Sequence, residues 1–226
     1  MNKPGIVVTG GFGALGRAVG EALLAAGAQV ALVDQAHAPD HVPEGVLACG
    51  GVDLNDPLAA RRCLDLVAER FGRLDGLVNV AGGFAWESIA DGDIATWDRM
   101  YALNVRTALL ASQAALPHLR RQGRGSIVNV GAMAAARAQA GMGAYAAAKS
   151  GVARLTEALA EELHGQGIRV NAILPSIIDT PANRSAMPDA DTSRWVAPAA
   201  LAPVVLFLLS DAAGAVSGAL LPVTAA

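Results

Sequence analysis

Tyr145 and Lys149 stand four residues apart in "GAYAAAKSG". In a helix, positions i and i+4 share a face, so an ammonium there can sit beside a phenol and favour its phenolate. That pairing would bring the tyrosine pKa down from its reference of about 10 towards the working range. It is the equipment of a general acid or base acting on a carbonyl-like group. The preceding stretch is notable for what it lacks, because the eighteen residues from Ile127 to Ala144 contain no serine or threonine. No second hydroxyl is therefore at hand to polarise a substrate oxygen. Taken alone, Tyr and Lys at this spacing are ordinary residues of an amphipathic helix, so their meaning depends on the elements around them.

The first of those elements is a strand-like run, "GIVVT", leading directly into "TGGFGALGR". Gly11, Gly13 and Gly16 fit G-x-G-x-x-G between a strand and a helix, with Gly10 in addition. Glycines belong where a chain turns sharply and its backbone N–H groups must approach a pyrophosphate at a helix N-terminus. The loop from Gly10 to Gly16, including Phe12, Ala14 and Leu15, is accordingly the candidate dinucleotide cradle. Asp34 ends the second strand eighteen residues after Gly16, where a carboxylate bonds the adenosine ribose. A 2′-phosphate would be repelled there, and "QAHAP" after it offers no cation. NAD(H) is favoured; Arg17 lies near enough to keep NADP(H) open.

The rest of the chain alternates strand and helix. "AQVALVD" and "GVLACG" precede a helix over Pro57 to Phe71, "DGLVNVAG" precedes a long helix from about Thr96 to Arg121, and "SIVNV" precedes a helix from about Ala144 to Gly165. "IRVNAIL", a helix near Ala199 to Ser210 and a last strand "GALLPV" complete it. Such alternation predicts βαβ units, a parallel sheet and an α/β fold of doubly wound type, in one domain spanning residues 1–226. Ser176 to Trp195 breaks the pattern with about twenty polar, turn-forming residues, the composition of a substrate lid.

With 53% hydrophobic and 16% charged residues, the chain has ample core material and no signature of disorder. A net charge of -3 and no basic run exclude a nucleic-acid surface; Arg120, Arg121 and Arg124 read as a solvated helix end. Cys49 and Cys63 make neither a disulfide framework nor a metal site, which points to a reducing cytoplasm and no bound metal. The apolar run in "MNKPGIVVTGG" is too short for a signal peptide, and Val196 to Leu209, broken by Pro198 and Pro203, is too short for a membrane span. Trp97, on an amphipathic helix start, reads as packing.

Taken together, "TGGFGALG", Asp53-Leu54, "NVAG" at Asn79 to Gly82, Asn104, "YAAAK" and "LPSIIDT" at Leu174 to Thr180 resemble the short-chain dehydrogenase/reductase family over essentially the whole chain. The resemblance implies a Rossmann-type domain with a seven-stranded parallel sheet, assembled as a homodimer or homotetramer through helices including the one bearing Tyr145. It also implies roles: Asp53 and Leu54 near the adenine, and Asn79, Ala81 and Gly82 lining the cofactor. Pro175, Ile178 and Thr180 would lie at its carboxamide end. Tyr145 would be the proton donor, Lys149 its partner and a ligand of the nicotinamide ribose, and Asn104 the support of a water leading protons away.

Two departures stand out. The family pattern has a serine thirteen residues before the tyrosine, where this chain has Ala132, and its middle glycine falls at position 14, where this chain has Ala14 after Gly13. Both are shared by the dihydropteridine reductase-like branch, which "VAGGFAW", "GMGAYAAAK" and "LPSIIDTPANRSAMPDADTSRW" also resemble. An electron-poor quinonoid ring spreads incoming charge over several atoms, so one proton donor can suffice. Trp86, Met142, Met187 and Trp195, with Ala132, are candidates to line a pocket for such a flat small molecule. A generic carbonyl reductase or alcohol dehydrogenase, with Ser176 or a water replacing the serine, remains an alternative. So does a non-catalytic NAD(H)-binding subunit.

Overall fold

A computed structural model describes residues 3–225. The first half runs β1 (Gly5–Thr9), α1 (Ala14–Ala25), β2 (Gln29–Val33), β3 (Val46–Cys49), α2 (Pro57–Phe71) and β4 (Gly76–Asn79). A helix in two parts follows, α3 (Ile94–Tyr101) and α4 (Thr107–Gln122), joined without a break by a π-helical turn over Ala102–Arg106. The second half comprises β5 (Gly125–Val130), α5 (Gly143–Glu162), β6 (Ile168–Pro175), α6 (Pro181–Ala186), α7 (Pro198–Leu209) and β7 (Leu220–Val223). All seven strands pair parallel in the order β3-β2-β1-β4-β5-β6-β7. This is the expected doubly wound, Rossmann-type α/β sheet.

Period-two alternation builds a core on each face. Ile6 and Val8 of β1 point into a cluster with Val19 of α1 and Leu201 and Val205 of α7. Val7, between them, points the other way, to Leu64 of α2 and Leu119 of α4. A strand buried on both faces reads as an unbroken apolar run, which is why "GIVVT" was legible. Helix α2 shows equally local causes: Asp56 accepts from Leu58 N at 2.8 Å, Pro57 occupies the first turn, and Gly72 ends the helix with φ 73°.

The sheet reverses its direction of growth at β1, whose neighbours are β2 and β4. Open α/β sheets place their ligand crevice beyond the strand C-termini at such a point. Both candidate chemical ends lie there, the glycine turn after β1 and the loops after β4, β5 and β6.

The expectation of an irregular stretch over Ser176 to Trp195 is corrected. It holds α6, a 3-10 turn at Thr192–Arg194 and a parallel bridge between Ile178 and Val196. Thr180 caps α6, its hydroxyl accepting from Asn183 N at 3.1 Å, with Pro181 in the first turn. "DTPANR" is a helix start, and the turn-forming composition hid it because Asp, Thr and Pro serve loops and caps alike. Among the described residues no helix is long and apolar enough to cross a membrane, and no cluster of three or more His, Cys, Asp or Glu is placed to hold a metal.

Candidate active site

Between Thr9 and Ala14 the chain turns with Gly10 at φ 59°, and Gly13 caps α1 with no side-chain bond. The first-turn N–H groups of α1 therefore remain available to an anion. Gly16 passes so close under the Gly10 carbonyl that a β-carbon would overlap it. These features fit a dinucleotide pyrophosphate. Asp34 follows β2, its carboxylate accepting from Phe12 N at 3.0 Å and from Ala36 N at 3.0 Å, which fixes it beside the turn. A cleft of about 1030 Å³ is lined at this end by Gly10, Gly13, Ala14, Leu15, Gly16 and Asp34, and further on by Asp53 and Leu54.

Four expected cofactor contacts fall outside the cleft lining: Gly11, Phe12, Asn79 and, beyond β6, Thr180. Gly11 packs against Leu32, and the Phe12 side chain lines a separate small depression that also holds Arg17. Neither Gly11 nor Phe12 lines the cleft. Asn79 lies behind its wall, buried, where Nδ2 donates to Asn129 Oδ1 at 2.9 Å and Ser112 Oγ at 3.1 Å. It ties β4 to β5 and α4, a task invisible in "NVAG" because the partners lie tens of residues away. Ala81 and Gly82 do line the cleft.

The chemical end is built from α5, β5 and the π turn. Tyr145 and Lys149 both reach the cleft, with Lys149 Nζ 5.9 Å from the phenol ring centroid and donating to Val130 O at 2.8 Å. Asn104, 1% exposed, lies in the π turn, a device common at functional sites. Its Nδ2 donates to Met100 O at 2.9 Å and Gly83 O at 3.0 Å, while Oδ1 accepts from Gly83 N at 3.2 Å. Asn104 thus clamps the loop after β4, and Gly82 passes between it and Lys149. The expected lowering of the phenol pKa is corrected. Burial dominates, desolvation pushing Tyr145 up to about 12 and Lys149 down to about 8.

This carries a stability consequence. Below pH 8 Lys149 is charged in both folded and unfolded chains, and the fold bears the full cost of burying the charge. Between pH 8 and its ordinary 10.5 the folded side chain is neutral while the unfolded one still binds a proton, so the cost shrinks as pH rises. Lys149→Met should therefore stabilise the chain at pH 7 by about 2 kcal/mol: roughly 3 from the removed charge burial, less about 1 for the lost bond to Val130. Urea midpoints should show that gain shrinking above pH 8 and reversing, by about pH 10.5, to a deficit approaching the roughly 1 kcal/mol of the lost bond. A destabilised variant whose deficit does not change with pH contradicts it.

On the substrate side, the buried methyl of Ala132 lines the cleft together with Trp86, Met142 and Met187, and Pro175 and Ile178 line it from β6 and beyond. Trp195 is corrected: it is 7% exposed and does not line the cleft, because the 3-10 turn and the bridge at Val196 turn it inwards. Thr180 is likewise occupied as a cap and lies outside the lining. Phe84 was missed; its ring meets Tyr145 edge-on, centroids 5.0 Å apart. The sequence carried a signal for it, an aromatic two residues after Gly82 at a central strand's end. Arg137 was missed too, and it also lines the cleft.

A glycine turn and a Tyr/Lys pair opening on one cleft of a seven-stranded parallel sheet define an NAD(P)-dependent oxidoreductase of Rossmann type. The chain belongs to the short chain dehydrogenase family, whose pattern matches residues 5–191. It is 34% identical over 235 residues to 2-(S)-hydroxypropyl-CoM dehydrogenase 3 of Xanthobacter autotrophicus, covering 95% of this chain and 92% of that one. A short-chain dehydrogenase/reductase from Mycobacterium ulcerans superposes with a TM-score of 0.89 at 30% identity, over 99% of this chain and 90% of that one. The 3-ketoacyl-(acyl-carrier-protein) reductase from Brucella melitensis, solved with NADH, gives 0.88 at 26% identity, over 97% and 96% of the respective chains.

Proposed function

We propose that this chain is an NADH-linked reductase of a small, flat, electron-poor acceptor of the quinonoid dihydropterin class. The observation that carries the reading is the buried Ala132 methyl, 7% exposed, where the family pattern supplies a second hydroxyl. Bound NADH supplies the hydride; the chain's own residues do the rest. Tyr145, kept protonated by burial, gives its proton to the reduced acceptor. Lys149, anchored on Val130 O, holds positive charge beside the phenol. Phe84, Trp86 and Met142 offer apolar and aromatic area to a ring. Support for NADH over NADPH comes from Asp34, fixed at the ribose end, and from Arg17, which lies in a different depression. Exposed Ile94, Trp97 and Tyr101 on α3 support a homo-oligomer, and the free thiols of Cys49 and Cys63 fit a reducing cytoplasm.

A second reading rests on Ser176, which lines the cleft and whose buried Oγ has no hydrogen-bond partner. In an ordinary ketone reductase that hydroxyl would replace the absent serine. Ala132→Ser separates the two. One oxyanion donor is worth about 10²–10³ in kcat, so restoring it in a site not otherwise shaped for it should raise ketone reduction about tenfold or more. A flat response, coupled with loss of ketone turnover in Ser176→Ala, would favour the second reading.

A further inference from the structure

Resting on the proposed reading of the site as a cleft for a flat acceptor, we infer that Arg137 is a specificity residue that selects an acceptor bearing a single negative charge, a carboxylate or sulfonate, away from the reacting atoms. Four charged residues line the cleft: Asp34, Asp53, Arg137 and Lys149. The two carboxylates lie at the adenosine end, and Lys149 is buried and committed to Val130 O. Arg137 is left as the exposed cation of the substrate end, and among the described residues it forms no ion pair. Arg184 of α6, the element on another wall of the cleft, spends its guanidinium on Asp179 at 2.6 and 2.8 Å. A lone guanidinium matches a monoanion, which it can bind bidentately; a dianionic phosphate calls for more than one cation.

The segment that carries Arg137 is held at both ends. Ser150 Oγ donates to Ala135 O at 2.8 Å, and Trp86 Nε1 donates to Ala140 O at 3.1 Å. The Trp86 ring lies flush on Gly141, which has φ 75° and no room for a β-carbon; Glu87 N also donates to Gly141 O at 2.8 Å. The backbone that carries Arg137 is therefore latched to the wall where a ring would lie.

The test uses the NADH complex of the whole chain and two sets of dead-end ligands read by tryptophan fluorescence: 6-carboxypterin against 6-hydroxymethylpterin, and benzoate and benzenesulfonate against benzyl alcohol. The anion of at least one set should bind about tenfold or more tightly than its neutral partner, a charge-assisted hydrogen bond being worth roughly that much. Arg137→Gln should abolish the preference, Arg137→Lys should keep part of it, and neutral ligands should bind all three proteins alike. Preference in the benzene set with no binding of either pterin would sustain the role of Arg137 and sink the pterin reading. Absence of a charge preference in both sets, or a preference indifferent to Arg137→Gln, overturns the inference.

Discussion

Tyr145→Phe should lower NADH-linked turnover by about 10²–10⁴-fold, the usual worth of a positioned general acid, while NADH binding stays within about twofold of wild type. The asymmetry follows from the geometry. Among the described residues the hydroxyl removed has no hydrogen-bond partner that would be stranded, and the ring that remains still meets Phe84 edge-on, so the wall of the cleft survives. With Ala132 as a methyl, no neighbouring side chain on that strand end can take over the proton. Comparable losses in kcat and kcat/KM would place the interaction in the transition state. Turnover within a few fold of wild type would remove Tyr145 from the chemistry and favour a non-catalytic, NAD(H)-binding role.

The second large effect is expected at the other end of the cleft. Gly16→Val should weaken NADH binding by about 10²–10³-fold, because hydrogen bonds to charged groups are worth roughly 1.5–3 kcal/mol each and the displaced turn loses at least one or two. A β-carbon at 16 overlaps the Gly10 carbonyl, so either the turn or the start of α1 must move, and both present N–H groups to the pyrophosphate. Gly16→Ala already places the overlapping β-carbon and should show most of the same loss. Far-ultraviolet circular dichroism of both variants should match wild type, and titration of NADH fluorescence reads the affinities. Affinity within a few fold of wild type in Gly16→Val would mean that the overlap at Gly16 has no bearing on the cradle.

How far the sequence carried the fold follows from these same residues. Runs such as "GIVVT" and "SIVNV" announced strands, and the helix over Pro57 to Phe71 was legible with its bounds, because those signals are local. The glycine turn and the Tyr/Lys pair were legible for the same reason. What escaped was set by distant partners. Asn79 looks like a cofactor contact in its own motif, yet it lies behind the cleft wall with its amide nitrogen donating to Asn129 and Ser112. Trp195 looks like a pocket aromatic until the bridge between Ile178 and Val196 draws it inwards. Thr180, expected at the carboxamide end of the cofactor, caps α6 ahead of Pro181, a role that depends on a helix the composition concealed. The phenol pKa was misread for a related reason: i, i+4 spacing puts Lys149 on the same face as Tyr145 but does not say that desolvation by burial dominates.

The latch of Trp86 on Gly141 and the clamp of Asn104 on Gly83 have a common consequence. The loop after β4, which carries Phe84 and Trp86, is held to the loop after β5 and to Asn104 by specific hydrogen bonds, while Phe84 and Trp86 themselves stay 51% and 66% exposed. Loops of this kind position function on a rigid scaffold. The apolar surface left open there is what a flat ring would cover.

The most direct measurement is the rate of NADH oxidation with a quinonoid dihydropterin generated in the assay, set against an enzyme-free blank and the Tyr145→Phe variant. The account predicts rapid turnover that falls to near the blank in Tyr145→Phe. A wild-type rate no higher than the blank, with NADH binding intact, would contradict it and leave Ala132 without its proposed explanation.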